Sequence, residues 1–298
     1  MRLSVIVPAT DAPATLPECL AGLAAAGGAD EVIVVTEPAR TGPSAARNRG
    51  VEDAAGDVLV FVDADVVVHP DALDRIRRAF AADPALTALF GAYDAAPPAR
   101  GTVSRFRNLL HHHVHHQAEG EATTFWTGLG AVRREAFLGV GGFDPDPRLN
   151  YVEDIELGVR LADAGARIRL DPAIAGTHLK RWSLRSMVRT DLRHRGVPWV
   201  RLMLRRRELS GALNLGARHR VSALASLAIA YGLLARRPAV SAAALAVVVV
   251  ANRDLYRLLL HRLGPAGAVA GVGLHVVHHL SGVAAVPVGV AQHLWDRP

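Results

Sequence analysis

A strand that ends in two carboxylates constrains the fold of this chain more than any other stretch. Residues 58–62 read Val-Leu-Val-Phe-Val, a composition typical of a buried strand. Asp63 and Asp65 follow directly, and residues i and i+2 of an extended chain point the same way. Because ligands of open α/β sheets bind beyond the carboxyl ends of strands, the pair is suited to hold Mg²⁺ or Mn²⁺ there. The alternative is a solvated Asp-x-Asp turn, which is the commoner origin of an isolated pair.

Strand-like and helix-like segments alternate around this stretch. Strands are predicted over residues 3–7, 31–35, 58–62 and 86–90, and helices over 15–26, 44–55 and 71–82. Thr15 is predicted to cap the first helix, with Pro17 in its first turn and Glu18 completing a capping box. This alternation is typical of right-handed βαβ units. We therefore expect an α/β fold with a mixed, mostly parallel sheet flanked by helices.

A histidine-rich helix interrupts the alternation. A helix is predicted over residues 103–117, and five of the six residues 111–116 are histidine. Histidines at i and i+4, such as His111 and His115, are able to share a metal ion. Because no acid or cysteine lies at ligand spacing, we favour an exposed or interface-lying helix that tolerates histidine.

A second acidic pair begins a later predicted helix. Extended structure is predicted over residues 125–132, a short helix over 133–138 and another strand over 166–170. Glu153 and Asp154 lie between the last two, in the first turn of a helix, where the helix dipole favours anions. The pair either simply caps the helix or presents one carboxylate to a cleft as a general base.

A series of motifs then resembles one enzyme family. The motifs lie at residues 4–8, 46–50, 63–65, 128–144, 153–154 and 178–182. Their order and spacing resemble the family 2 glycosyltransferases of the GT-A (Rossmann-like) fold, over about residues 1–215. The residues that make up the later motifs resemble those of a bacterial membrane-associated branch of that family.

The resemblance implies a nucleotide-sugar donor and inversion at the anomeric carbon. By this resemblance Asp65 is a metal ligand, and Asp63 lies nearer the ribose or the metal. His178 either completes the metal site or contacts the diphosphate. The metal would neutralise the leaving diphosphate. Asp154 becomes the catalytic base, since the family's motif places the base at its second acid. One carboxylate is then enough, unlike the paired acids of glycoside hydrolysis.

The resemblance also implies which residues bind the donor and which bind the acceptor. The implied donor set is Pro8, Asp11, Glu37, Arg47 and Asp63, and the implied acceptor and diphosphate set is Gly128, Glu153, Arg181 and Trp182. Arg47 is equally compatible with a helix-surface arginine. Thr36 departs from the family, because many relatives carry the first acid of an acidic pair there. Thr10-Asp11 stands where relatives often have Tyr-Asn, so neither the base nor the sugar can be named.

The last third of the chain is basic and then apolar. Residues 180–220 hold twelve Lys and Arg against two acids, and we predict a basic amphipathic interfacial neck over 181–220. Residues 221–298 are predicted to be a helical membrane-associated region with two to three segments, at 221–234, 239–251 and 264–291. The first two are shorter than the roughly 20 residues that span a bilayer. The third carries His275, His278, His279 and Pro287, and Arg236-Arg237 fits an outside loop poorly.

These features define the functional hypothesis. We expect residues 1–180 to be a GT-A domain that uses Mg²⁺ or Mn²⁺ and a UDP- or GDP-linked sugar. A lipid, lipid-linked or glycan acceptor is expected at the cytoplasmic face of the cell membrane, because the chain starts with a strand rather than a signal peptide. The apolar tail disfavours nucleic acid as a partner of the basic neck, and the single Cys19 excludes an internal disulfide.

Two alternative functions remain open at this point. One is a catalytically inactive GT-A-like scaffold or binding module, against which the intact Asp63, Asp65, Asp154 and Trp182 argue. The other is a nucleotidyltransferase-like enzyme, but residues 8–17 lack the Gly-rich basic loop that such an enzyme needs.

Overall fold

The chain folds into two compact units. The computed structural model describes residues 1–206 and 216–296. The first unit comprises Met1–Pro98 and Val114–Lys180, and the second comprises Ala99–His113 and the described residues from Arg181 onward. Residues 207–215 of the predicted neck lie outside the described residues. The predicted boundaries, 1–180, 181–220 and 221–298, remain predictions.

Eight strands of the first unit form one mixed sheet. They are β1 (Leu3–Pro8), β2 (Glu31–Val35), β3 (Val58–Val62), β4 (Val66–Val68), β5 (Leu86–Tyr93), β6 (Gly120–Ala122), β7 (Leu129–Arg133) and β8 (Arg167–His178). Their order is β2-β1-β3-β7-β5-β8-β4, and β6 pairs with β8. Parallel pairs join β1 to β2, β1 to β3 and β5 to β8, whereas β7, β4 and β6 pair antiparallel. The predicted α/β fold with a mixed sheet is confirmed.

Six helices accompany this sheet. They are α1 (Leu16–Ala26), α2 (Pro43–Asp53), α3 (Ala72–Ala82), α4 (Thr102–Gln117), α5 (Arg134–Gly139) and α6 (Glu153–Asp163). The chain passes from the second unit back to the first within α4. The predicted cap at Thr15 is wrong: Thr15 has helical φ and ψ, and its side chain makes no capping hydrogen bond. A capping side chain needs an extended backbone at that position.

An aromatic cluster fills the core beneath the carboxyl end of β3. The Phe61 ring lies 5.2 Å from Phe143 and 5.6 Å from Phe137, measured between centroids, and 6.5 Å from Phe125. All four rings are buried. The cluster therefore supports the strand end at which the two predicted metal-binding aspartates follow.

The histidine-rich helix, expected to be exposed or to lie at an interface, has two of its histidines in the protein interior. His113 and His115 are buried. In the first unit, His115 Nδ1 lies 3.0 Å from the Gly91 carbonyl oxygen, and its ring packs edge-on against Trp126. The side chain of His115 is therefore part of the packing beside β5.

The second unit is helical. Beyond the start of α4 it contains α7 (Leu184–Arg189), a π-helical segment (Thr190–Gly196), α8 (Val197–Arg206), α9 (Ala217–Leu234), α10 (Pro238–Ala251) and α11 (Arg253–Trp295). Gly264 interrupts α11 with a φ of 73°, directly before Pro265. Within the described residues, α11 is the one helix long and apolar enough to cross a membrane by length and composition.

Helices α9 to α11 bury polar side chains and expose apolar ones. Asn252 Nδ2 donates to Ser222 Oγ at 2.8 Å, and both residues are buried. By contrast, Leu224 is 67% exposed and Val250 is 69% exposed. This polarity is the reverse of that of a water-soluble bundle, and small or polar residues between helices are typical of packing in lipid.

Candidate active site

The carboxyl ends of the first three strands lie at one edge of the sheet. Pro8, the last residue of β1, pairs with Val35, the last residue of β2. Asp63 follows β3, and its N–H donates to the Gly128 carbonyl oxygen at 3.3 Å. A Cβ on Gly128 would lie 2.1 Å from the Trp126 ring, so the close approach of the two requires glycine. The structure thus brings the predicted Pro8, Asp63 and Gly128 to the same edge.

Arg47 lies between two carboxylates next to this edge. Its Nη2 donates to Asp63 Oδ1 at 2.7 Å, and its Nη1 donates to Glu153 Oε1 at 2.8 Å. Arg47 is 3% exposed, so it is not a helix-surface arginine. Burial opposes its charge, but Asp63 and Glu153 outweigh that effect and raise the pKa of the Arg47 guanidinium. Arg47 therefore remains a cation held by two anions.

Asp65, two residues beyond Asp63, meets His178. Asp65 Oδ2 lies 3.4 Å from His178 Nε2, because Val66 in β4 pairs with His178 at the end of β8. The His178 ring stacks on Tyr93 at 4.1 Å between centroids. Burial opposes ionisation of Asp65, but His178 and then Lys180 lower the pKa of Asp65 below its ordinary value. Asp65 is therefore a carboxylate at neutral pH.

The Asp65–His178 pair fits a divalent cation. Two ligands at right angles on an octahedral ion with bonds near 2.1 Å are about 3 Å apart, close to the separation found here. No three His, Cys, Asp or Glu side chains in the described ranges form a metal-binding group. A cation held here would thus take its remaining ligands from substrate phosphate and water. Arg47 holds the carboxylate of Asp63, whose role as a metal ligand stays a prediction.

Asp154 lies in the first turn of α6. It is half-buried, and its Oδ1 accepts a hydrogen bond from the N–H of Ile155 at 2.8 Å. Successive residues of a helix are about 100° apart around its axis. While Glu153 points to Arg47, Asp154 therefore projects in another direction from the same turn. Its role as the base stays a prediction.

The contacts described above do not include the remaining predicted residues. Asp11 and Glu37 are exposed on the loops after β1 and β2, and Glu37 Oε2 accepts a hydrogen bond from the N–H of Ala39. Arg181 and Trp182 belong to the second unit, where the N–H of Trp182 donates to Ser104 Oγ at 2.7 Å. Their roles toward the donor and the acceptor remain predictions.

Sequence reasoning missed two residues of this neighbourhood. Tyr93 stacks on His178 and meets Trp126 edge-on at 4.8 Å, so it fixes the imidazole beside Asp65. An aromatic residue just beyond a predicted strand was the available signal, since β5 continues past residue 90 to Tyr93. The thiol of Cys19 donates to the Asp63 carbonyl oxygen at 3.6 Å. Burial, followed by Asp63 and Asp65, raises the pKa of Cys19 to about 12, so it is not a nucleophile.

Comparison with known proteins gives first the fold of the chain and then the family model that part of it matches. The mannosyltransferase PcManGT from Pyrobaculum calidifontis, solved in complex with GDP-Man and Mn²⁺, superimposes with a TM-score of 0.59 and 19% identity. The superposition covers 100% of this chain and 88% of that chain, and it shows a GT-A fold. Residues 28–140 match the model of glycosyl transferase family 2. The predicted resemblance to the family 2 glycosyltransferases is confirmed over residues 28–140.

Curated relatives agree with this assignment. The chain is 29% identical over 164 residues to the pre-mycofactocin glycosyltransferase of Mycobacterium tuberculosis, across 53% of this chain and 34% of that protein. It is 25% identical over 172 residues to N-acetylgalactosaminyltransferase 7 of Drosophila melanogaster, across 50% of this chain and 29% of that protein. The chain therefore spans about a third of the length of the curated relatives it matches.

Proposed function

We propose that this protein is an inverting glycosyltransferase that moves a sugar from a nucleotide-diphosphate donor to a hydroxyl acceptor. The observation that carries the proposal is the convergence of the Asp65–His178 pair and Asp63 at one edge of a family 2 domain. This arrangement offers ionised oxygen and imidazole ligands where a strand ends.

The donor side follows from the chemistry of this edge. When bound between Asp65 and His178, Mg²⁺ or Mn²⁺ would neutralise the charge that develops on the leaving diphosphate. Stacking on Tyr93 orients the imidazole of His178 toward the same point. Pro8, Asp11 and Glu37 follow or end the neighbouring strands, where they hold the nucleoside of a UDP- or GDP-linked sugar.

The acceptor side requires one base. We assign Asp154 to remove the proton of the acceptor hydroxyl as its oxygen attacks the anomeric carbon. The bond from that carbon to the diphosphate breaks in the same displacement, which inverts the configuration. The diphosphate leaves without protonation, so a second protein carboxylate is not required. Gly128, Glu153, Arg181 and Trp182 are assigned to the acceptor and diphosphate side.

The second unit supports a membrane location for the reaction. Its buried Ser222 and Asn252 and its exposed Leu224 and Val250 suit helices α9 to α11 to lipid. The basic residues before α9 suit an anionic membrane surface. We propose a cell-membrane protein, multi-pass or membrane-associated, with a cytoplasmic catalytic domain and a lipid, lipid-linked or glycan acceptor. These features support the bacterial membrane-associated branch of the family as part of the proposal.

A donor screen tests the proposal. The full chain is purified in detergent and incubated with UDP- and GDP-linked sugars and either Mn²⁺ or Mg²⁺. GDP-mannose with Mn²⁺ is included first, because the structurally similar PcManGT was solved with both. We expect one donor to release its nucleoside diphosphate, faster when membrane lipid extract supplies the acceptor.

Two other results would contradict the proposal. Pyrophosphate release from a nucleoside triphosphate and a sugar phosphate would indicate a nucleotidyltransferase. Folded protein that binds donors but never releases a nucleoside diphosphate, with acceptor extracts present, would indicate a scaffold.

A further inference from the structure

The guanidinium of Arg47 is committed to an internal ion network. Each of its two terminal nitrogens donates to a different carboxylate, Asp63 at 2.7 Å and Glu153 at 2.8 Å. The side chain of Arg47 is 4% exposed and that of Glu153 is 6% exposed. The guanidinium also lies 5.5 Å from the centre of the Phe143 ring. Both terminal nitrogens of the guanidinium are therefore hydrogen-bonded within the protein before any substrate binds.

The network has the wrong charge for a phosphate site. Two carboxylates and one guanidinium carry a net charge of −1, so a donor phosphate placed beside Arg47 would also meet two anions. An arginine that binds phosphate normally presents its paired N–H groups to the phosphate oxygens. The contacts of Arg47 thus argue against direct binding of the donor diphosphate.

The same network joins three elements that are distant in sequence. Arg47 lies in α2, Asp63 directly follows β3, and Glu153 begins α6. Glu153 and Arg47 are separated by 106 positions in the chain. Glu153 also immediately precedes Asp154, the proposed base. One side chain therefore ties the donor end of β3 to the helix turn that carries the base.

The network is incomplete by itself. Among the described residues, the buried Nε of Arg47 and Oε2 of Glu153 have no hydrogen-bond partner. Buried polar atoms are almost always paired, because an unpaired one costs free energy. The unpaired atoms therefore reduce what the network contributes to stability.

We propose that Arg47 is a positioning residue for glycosyl transfer: it holds Asp63 and, through Glu153, sets the first turn of α6 that presents Asp154. The role rests on the proposed function above. For Arg47 this role replaces direct donor binding. For Glu153 the role of counter-ion to Arg47 replaces contact with the acceptor and the diphosphate. The proposal predicts that both side chains act on turnover rather than on nucleotide affinity.

Four variants of the full chain in detergent test the proposal. Glu153→Gln keeps the shape of the side chain and removes its charge. Arg47→Lys keeps the charge but has one terminal nitrogen in place of the two of the guanidinium. Arg47→Met removes both, and it is also combined with Glu153→Gln. Arg49→Met is the matched control, since Arg49 lies in the same helix with its side chain 56% exposed. For each protein, kcat and KM are measured with the active donor, and the Kd of the nucleoside diphosphate is measured by calorimetry.

A positioning role predicts a split between turnover and binding. We expect Glu153→Gln and Arg47→Lys to lower kcat about 10- to 100-fold, with the Kd of the nucleoside diphosphate within about 3-fold of the wild type. The kcat of the double variant should be no lower than that of Arg47→Met alone, because Arg47→Met already breaks the bond between Arg47 and Glu153. Arg49→Met should match the wild type. If Arg47→Met does not fold, Glu153→Gln and Arg47→Lys still decide the question.

Other results would overturn the proposal. An Arg47 variant whose Kd for the nucleoside diphosphate rises at least about 10-fold, beside a Glu153→Gln variant with wild-type kcat, would show direct phosphate binding. Wild type and Arg49→Met without turnover on any donor would instead overturn the proposed function itself. The two failures are therefore distinguishable in one set of measurements.

Discussion

Asp65 and Asp154 are carboxylates at the ends of regular elements, but their surroundings suit them to different tasks. Asp65 lies beside His178, which together with Lys180 lowers its pKa, so it remains an anion available to a cation. Asp154 lies half-buried in the first turn of a helix, where the chain next to it is held by Arg47 through Glu153. We propose Asp65 as the carboxylate that holds the cation and Asp154 as the base.

The residue-scale prediction concerns Asp154. Asp154→Asn keeps the size of the side chain but cannot accept the proton, so we expect kcat to fall about 10²- to 10⁴-fold. The Kd of the nucleoside diphosphate should not change, because Asp154 acts on the acceptor. Steady-state kinetics and calorimetry check both values. Asp163→Asn, at the exposed far end of the same helix, is the control and should leave both unchanged. Full turnover in Asp154→Asn would exclude Asp154 as the base.

At the scale of elements, a buried ion pair anchors the π-helical segment of the second unit. Arg107 Nη2 lies 2.7 Å from Asp191 Oδ1, and His278 Nδ1 lies 2.8 Å from Asp191 Oδ2. Burial alone would raise the pKa of Asp191, but Arg107 and His278 outweigh it and lower the pKa to about 2. The carboxylate therefore links the start of α4, the π-helical segment and α11 within this unit.

This network predicts a pH dependence of stability. The folded pKa of Asp191 lies below its ordinary value of about 3.9, so the ionised carboxylate stabilises the fold above that pH. The contribution is lost as pH falls from about 4 toward 2. We expect Asp191→Asn to lower the melting temperature at pH 7, since breaking a buried pair costs about 3–5 kcal/mol. The melting temperature of the variant should also fall less steeply between pH 4 and 2.

Thermal melts in detergent across this pH range check the prediction. Asp254→Asn is the control, because the Asp254 side chain is 48% exposed and pairs with the exposed Arg257. The control should behave as the wild type at every pH. Parallel melting curves for the wild type and Asp191→Asn between pH 4 and 2 would contradict the assigned role of Asp191.

At the scale of the whole molecule, the second unit should hold the protein in a bilayer. We expect the expressed full chain to stay in the membrane fraction after washes with high salt and with alkaline carbonate. Leu224→Arg combined with Val250→Arg places charges on exposed apolar faces of α9 and α10. Each arginine costs up to about 3 kcal/mol in the bilayer centre, so this variant should be recovered in the wash or degraded. Leu138→Arg, at a 53% exposed position of the first unit, should stay with the membrane. Release of the wild type by salt alone would contradict insertion.

The sequence predicted the strands best where they are continuous apolar runs. Residues 31–35 and 58–62 coincide with β2 and β3, because β-branched residues favour a strand. The three-residue strands β4 and β6 carry too few residues to show a period. The predicted strand at 166–170 continues to His178, since Pro172 lies where the register between β5 and β8 shifts. A proline at such an irregularity removes no needed ladder bond.

The candidate site was predictable in its residue types but not in its contacts. The spacing of Asp63 and Asp65 after a strand was enough to place them at the sheet edge. The bond from Arg47 to Glu153 spans 106 positions, and no local pattern encodes it. The contact between Asp65 and His178 depends on β4, which was not predicted. Long-range pairing therefore decides which side chain meets which, and the sequence shows only which ones are available.

The release of nucleoside diphosphate by the wild type and by Asp65→Asn, each with and without Mn²⁺ or Mg²⁺, tests the proposed metal-assisted transfer most directly. We expect release by the wild type to stop when EDTA removes the cation. Asp65→Asn should lose release even with the cation present, whereas Asp71→Asn, at an exposed position after β4, should retain it. Release by Asp65→Asn at the wild-type rate, or release that EDTA leaves unchanged, would contradict a metal-assisted transfer at this sheet edge.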